Sequence, residues 1–275
     1  MRPASLFNGI QPSRRTQVPD LKDSDLKEKV AIVTGGAGGI GSAIAREYAR
    51  AGARVVIASR NLDNLKALAG RIVSAGGTAL AIAADVTDEN QVDSLVEQTV
   101  SEFGRLDIMV NNAGGALHIK KALDLSADEW RDGIALNLNS VFFGSVAAAR
   151  VMMTQSGGRI INISSVAGIK HTPSMAHYGA AKAGVISLTR TLAASWAKDS
   201  ITVNCIAPGL TATPGIQKSG MLPKNTDKNG DPLPPLQFPP EPEHCAHLAV
   251  FLASDAAERI TGETIPLRAQ VEFDR

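Results

Sequence analysis

From Lys29 onward, seven short runs rich in β-branched residues alternate with longer helical patterns, an alternation that leaves little room for anything but repeated βαβ units. The strands are expected at 30–34, 54–59, 78–83, 106–111, 158–164, 201–207 and 263–267, and the helices near Gly41, Leu62, Asp88, Ser126, Tyr178 and Glu243. Asn61, Asp88 and Ser126 stand where N-caps are needed, and Gly52, Gly76, Gly77 and Gly104 where helices should stop. Right-handed crossovers then give an α/β fold with an open, doubly wound parallel sheet, helices on both faces and a ligand site at the carboxyl ends of the strands. One domain is expected over 29–275, preceded by a tail or arm over 1–28. A length of 275 residues with 44% hydrophobic residues suffices for its core.

The run Thr34-Gly35-Gly36-Ala37-Gly38-Gly39-Ile40-Gly41 follows the first strand and opens the first helix. It satisfies G-x-G-x-x-G through Gly36, Gly38 and Gly41, and T-G-x-x-x-G-x-G through Gly35, Gly39 and Gly41. Glycines there let a pyrophosphate approach the backbone and meet a helix N-terminus, as in a Rossmann dinucleotide fold. An acid ending the second strand would bind a ribose 2′-hydroxyl, but Ser59 and Arg60 occupy that place. A guanidinium matches a 2′-phosphate in charge and shape, so NADP(H) is expected over NAD(H).

Charge and cysteine content narrow the partners. With 28 Lys+Arg against 27 Asp+Glu the formal charge is +1, which gives no bulk attraction for nucleic acid or an anionic membrane. The apolar stretch 141–153 is interrupted by Arg150 and too short to span a bilayer, and the N-terminal segment has no apolar signal region. Cys205 and Cys245 lack disulfide or zinc spacing, so a reducing, cytoplasmic setting is expected. His244 and His247, flanking Cys245 and Ala246, read as an ordinary helix face, while His118, His171 and His177 are candidates to border a substrate pocket.

Tyr178 and Lys182 are spaced i, i+4 on a helix, with about 5–6 Å between Cβ atoms. A phenol of pKa near ~10 becomes a useful acid/base at neutral pH when a nearby ammonium stabilises its anion. Taken with the glycine turn, Asn111-Asn112-Ala113-Gly114, Ser164-Ser165 and Pro208-Gly209, all in order, the chain resembles the short-chain dehydrogenase/reductase family from about Val30 to Thr264.

That resemblance implies Tyr178 as general acid/base, Lys182 as depressor of its pKa and ligand of the nicotinamide ribose, and Ser165, 13 residues before Tyr178, as the group polarising a substrate carbonyl. It implies Asn137 as holder of a proton-relay water, with Asn139 structural. For the cofactor it implies the glycine turn (Gly35, Gly39, Ile40, Gly41), Asp85 and Val86 at the adenine, Asn112, Ala113 and Gly114 along the adenosine side, and Pro208, Gly209, Thr211 and Thr213 near the carboxamide. No metal is implied.

The implied reaction interconverts a ketone or aldehyde and an alcohol, with a small-molecule carbonyl or alcohol as partner. Rival readings are an enoyl-thioester reductase, suggested by the spelling of Val55 to Arg60, and a sensor that binds NADP(H) without turnover. Relatives often form tetramers, so a homo-oligomer, tetramer or dimer, is an expectation. Two stretches stand apart. The C-terminus reads Ile265-Pro266-Leu267-Arg268 where relatives continue into V-D-G-G, and the proline-rich stretch 214–242 shows no period. The latter is expected to be an irregular insertion acting as a substrate lid over about 210–242, with a mobile charged tip at 224–231.

Overall fold

The computed structural model describes residues 26–226 and 229–270; most of the expected N-terminal tail, and Asp227 and Lys228 of the expected mobile tip, lie outside the described residues. Seven strands form one parallel sheet in the order β3-β2-β1-β4-β5-β6-β7: β1 (Val30–Thr34), β2 (Arg54–Ser59), β3 (Thr78–Ala83), β4 (Ile108–Asn111), β5 (Gly158–Ile163), β6 (Ile201–Pro208) and β7 (Thr264–Leu267). The inner strands β1 and β6 are buried along their whole length, as runs in a sheet covered on both faces must be. The edge strand β3 is only partly covered.

Helices α1 (Gly39–Arg50) and α2 (Leu62–Ser74) pack on one face with α8 (Pro242–Ala253), around Ala43, Ile44, Leu65 and Leu252. On the other face α3 (Glu89–Phe103), α5 (Ser140–Met152) and α6 (Ala176–Trp196) enclose Val92, Leu95, Ala148 and Leu192. The three expected N-caps form: Asn61, Asp88 and Ser126 accept from the backbone N–H of Asn64, Asn90 and Glu129, and Ser126 completes a capping box. Gly104 ends α3 in the left-handed region at φ 78°. Leu26 is fully buried against the same core, three residues ahead of the expected domain start.

Three expectations need correction. The stretch 106–111 yields a strand only from Ile108, because the backbone N–H and C=O of Leu106 are taken by the Gln155 side chain. The helix expected from Ser126 is α4 (Ala127–Ile134), a π-type turn at Ala135–Asn139 and α5, running on as one helix from Ala127 to Met152. It is long and apolar enough to cross a membrane, yet here it lies with Val141, Ala147, Ala148 and Met152 buried.

The third correction concerns the proline-rich stretch, which carries α7 (Pro214–Ser219) and a short turn at Pro235–Gln237. Thr213 caps α7 by accepting from the Ile216 N–H, Pro214 takes the first helical position and Gly220 closes the helix at φ 71°. Proline at that position starts a helix rather than breaking one. Despite its unusual spelling, the C-terminal strand pairs with β6 through Leu267, and Pro266 is tolerated because β7 is the sheet edge.

Candidate active site

The sheet order reverses between β1 and β4, and the crevice outside their carboxyl ends holds the glycine turn. Gly35 sits at φ 64°, and a Cβ there would lie 2.9 Å from Ala113 Cα. A Cβ on Gly41 would lie 2.4 Å from the Gly35 carbonyl oxygen. Both positions therefore need glycine for the close approach of turn and helix. The N-cap of α1 is Gly38, which offers no side chain to the first-turn amides, and no acid stands in that turn. That donor set suits an anion such as a pyrophosphate.

Thr34, at the end of β1, holds the turn after β4 in place. Its Oγ1 donates to the Val110 carbonyl (3.2 Å) and accepts from the N–H groups of Asn112 (3.0 Å) and Ala113 (3.2 Å). Asn112 Nδ2 donates back to the Thr34 carbonyl at 2.8 Å. Asn112 acts here mainly as a brace, and the signal for Thr34, a threonine just before the glycine run, was available in the sequence.

The catalytic candidates come together on α6 and the ends of β5 and β6. Lys182 is 2% exposed and its Nζ donates to the Ile163 carbonyl (2.8 Å), lying 5.7 Å from the centre of the Tyr178 ring. Ser164 Oγ donates to the Lys182 carbonyl (2.7 Å), tying the helix to β5. Ser165 Oγ donates to the Pro208 carbonyl at 3.3 Å and accepts from the Ala167 N–H at 3.1 Å.

Burial pulls the Lys182 ammonium from its ordinary 10.5 down to about 8, with Cys205 opposing. Burial also holds the Tyr178 phenol above its ordinary value, while its hydrogen bond with Ser165 pulls the other way. In this arrangement desolvation dominates at the phenol, and the Lys182 ammonium is turned to the Ile163 carbonyl. At neutral pH the phenol is held protonated.

Asn137 is fully buried in the π-type turn. Its Oδ1 accepts from the Gly115 N–H (2.9 Å), and its Nδ2 donates to the carbonyls of Gly115 and Gly133 (both 3.0 Å). A Cβ on Gly114 would lie 2.8 Å from Asn137 Oδ1 and 3.0 Å from Lys182 Nζ, so the two side chains flank the same spot.

A cavity of about 300 Å³ collects most of the predicted residues: Gly35, Gly39, Ile40 and Gly41 of the turn; Asn112, Ala113 and Gly114; Ser165, Tyr178 and Lys182; and Pro208, Gly209, Thr211 and Thr213. Gly38 of the glycine run and Leu210 and Ile216 of the expected lid also line it, together with Ile163 and Ser164, to which the sequence reading gave no role. Ser59, Arg60, Asp85, Val86 and Asn137 are not in its wall. Arg60 is exposed just past β2, with no hydrogen bond or ion pair among the described residues. Asp85 Oδ1 accepts from the Thr87 N–H and Oγ1, and Val86 is buried in the core.

None of the three candidate pocket histidines lines this cavity. His118 and His177 pack on one another, and His171 borders a separate shallow depression with Lys170 and Ala180. His244 Nδ1 accepts from the Glu241 N–H at the start of α8, and no metal-holding group of three or more His, Cys, Asp or Glu occurs among the described residues.

A family model described as enoyl-(acyl carrier protein) reductase matches residues 35–267. A 3-oxoacyl-[acyl-carrier-protein] reductase of Synechocystis is 39% identical over 246 residues, covering 87% of this chain and 95% of that protein. This chain is a short-chain dehydrogenase/reductase. A D-threitol dehydrogenase of Mycolicibacterium smegmatis is 37% identical over 250 residues, covering 90% of this chain and 95% of that protein. Among solved structures, a 7α-hydroxysteroid dehydrogenase complexed with NADH and 7-oxo glycochenodeoxycholic acid superposes with a TM-score of 0.82. It is 31% identical and covers 91% of this chain and 97% of that one. Like these relatives, the chain is an oxidoreductase of the family that works on the CH–OH/C=O pair with a nicotinamide cofactor.

Proposed function

We propose that this protein is an NADP(H)-dependent reductase or dehydrogenase interconverting a ketone and a secondary alcohol, with Tyr178 as its general acid/base. The observation that carries the reading is the convergence of the glycine turn with Ser165, Tyr178 and Lys182 on one cavity at the carboxyl ends of the strands. When bound, a nicotinamide dinucleotide supplies the two-electron chemistry that no side chain in this cavity can perform. Ser165 and the Tyr178 hydroxyl hold the carbonyl oxygen, and Tyr178 gives it a proton as the carbon is reduced. Lys182, between the Ile163 carbonyl and Asn137, holds the cofactor ribose and restores the proton through a water that Asn137 orients. The amides of the glycine turn take the pyrophosphate, Asp85 and Val86 take the adenine, and Arg60, facing solvent with Ser59 in place of an acid, takes the 2′-phosphate.

The apolar Leu210 and Ile216 at the cavity wall favour a substrate with a hydrocarbon body, over which 210–242 closes. Self-association is part of the same reading, supported by the exposure of Trp130 and Phe142 on the long helix. The two free, buried thiols fit a reducing, cytoplasmic setting. A second reading, enoyl-thioester reduction, is favoured by the description of the family model. A panel of cyclic, steroidal and acyl-thioester ketones and enoyl thioesters with NADPH, followed by nicotinamide absorbance, separates the two. Turnover of ketones alone supports carbonyl chemistry, turnover of enoyl thioesters alone overturns it, and cofactor binding without any turnover supports the sensor.

A further inference from the structure

His177 precedes Tyr178 and takes no part in the chemistry above. It is fully buried, yet neither ring nitrogen has a hydrogen-bond partner among the described residues. An imidazole buried in that state is unfavourable, so its packing must hold it. Its ring fills a notch at Gly133, where a Cβ would lie 2.1 Å from His177 Cδ2 and 2.8 Å from Cγ. Against its other side stands His118, with ring centres 5.8 Å apart and planes tilted by 49°.

Both contacts lead to Asn137. The Gly133 carbonyl accepts from Asn137 Nδ2, and the loop that presents His118 includes Gly115, whose N–H and C=O also bond Asn137. The same loop is clipped to the approach of α6 by the Lys120 N–H donating to the Ser174 carbonyl at 2.9 Å. His177 therefore joins three pieces: the helix carrying Tyr178 and Lys182, the α4 carbonyl that anchors Asn137, and the loop after β4.

We propose that His177 is a positioning residue that sets the Asn137 carboxamide against Lys182, and that it does so as a neutral wedge. This rests on the acid/base reading above. The titratable groups facing the ring are His118, from the loop after β4, and Glu129, from α4. Glu129 is already engaged by Lys120 and by the Ser126 N–H. Burial first, and His118 second, hold His177 below its ordinary pKa. Protonation would add a second N–H donor to the one the neutral ring carries, both buried and facing no acceptor among the described residues, so the ring leaves the notch and Asn137 loses its seat.

The test compares kcat, its pH profile, thermal stability and NADPH affinity in His177→Ala, His177→Phe and the double variant Gly133→Ala/His177→Ala, with Tyr178→Phe in the same assay. His177→Ala should lower kcat about 10- to 100-fold, the scale of a misplaced catalytic group, with NADPH affinity nearly unchanged. His177→Phe refills the notch with a ring that cannot titrate, so it should recover most of kcat and lack the acid-side fall expected of the wild type. In the double variant the new methyl enters the vacated space, so its loss should be smaller than that of His177→Ala. Any of three results overturns the proposal: wild-type kcat and pH profile in His177→Ala; an acid-side fall that persists in His177→Phe; or equal losses of stability, NADPH affinity and kcat. Should His177→Ala not fold, the Phe variant decides alone. If instead Tyr178→Phe turns over normally, the acid/base reading fails, whatever His177 does.

Discussion

The two ends of the cofactor crevice are built differently. At the end proposed to be catalytic, Lys182 and Asn137 are buried and bonded to backbone groups of β5, α4 and the loop after β4, so their positions follow from packing of the whole sheet. At the far end Arg60 is exposed just past β2, with no side-chain hydrogen bond or ion pair among the described residues. Reaction chemistry placed on packed elements resists drift, whereas a cofactor preference placed on an exposed side chain can change with one substitution. The contrast predicts large, selective effects at the first end and modest ones at the second.

Tyr178→Phe should have the largest effect. It removes one hydroxyl from a side chain whose ring continues to pack, so kcat should fall by about 10²- to 10⁴-fold, the range for a lost general acid. NADPH affinity, measured by fluorescence titration, should barely move. Wild-type kcat in this variant would mean that the buried end does not carry the chemistry.

Lys182 sharpens the comparison through pH. Its ammonium is pulled down to about 8, so it is charged below that pH and neutral above it. If reduction needs the charge, kcat/KM measured with limiting NADPH falls above about pH 8, a limb separate from the acid-side fall assigned to His177. Lys182→Ala should remove that limb, lower kcat about 100-fold and weaken NADPH. A limb unchanged in the variant would assign the titration to another group.

The sequence reveals the packed end better than the exposed one, for a physical reason. Strands β1, β2 and β3 are legible to the residue because burial on both faces demands aliphatic runs, and the caps Asn61, Asp88 and Ser126 are legible because few side chains satisfy first-turn amides. Tyr178 and Lys182 are legible through helical spacing. The π-type turn that presents Asn137 leaves no mark in periodicity, since it changes the phase of one continuous helix by a single residue. Helix α7 is hidden because Thr213-Pro214 reads as a break until the cap is seen. Nor does any local pattern show that His177 meets Gly133, a contact made by tertiary packing alone.

The segment after Pro208 starts at the cavity wall and turns exposed further along. Ile216 reaches the cavity wall, while Met221 and Leu236 face outward and the Leu236 carbonyl accepts from the Gln270 N–H. Replacing residues 221–238 by a short Gly/Ser linker should raise KM for an apolar ketone about 10-fold and leave NADPH affinity nearly unchanged, the behaviour of a lid that excludes water. Unchanged KM together with an altered mass in solution would assign these apolar residues to a subunit contact.

Arg60→Ala should have the smallest effect and tests the exposed end directly. A surface guanidinium facing a 2′-phosphate is screened by salt and freely solvated when unpaired, so its loss should weaken NADPH about 5- to 10-fold at moderate ionic strength. NADH has no 2′-phosphate, and its affinity should stay where it was. The wild-type preference for NADPH should shrink as salt rises, because a solvent-exposed charge pair is screened over a Debye length of about 8–10 Å. Tyr178→Phe should show the same salt dependence of binding as the wild type, since the buried end takes no part in it. Equal losses of NADPH and NADH in Arg60→Ala would mean that the residue shapes the loop after β2 rather than reading the phosphate. The exposed end would then owe its cofactor choice to backbone geometry, as the catalytic end owes its own to packing.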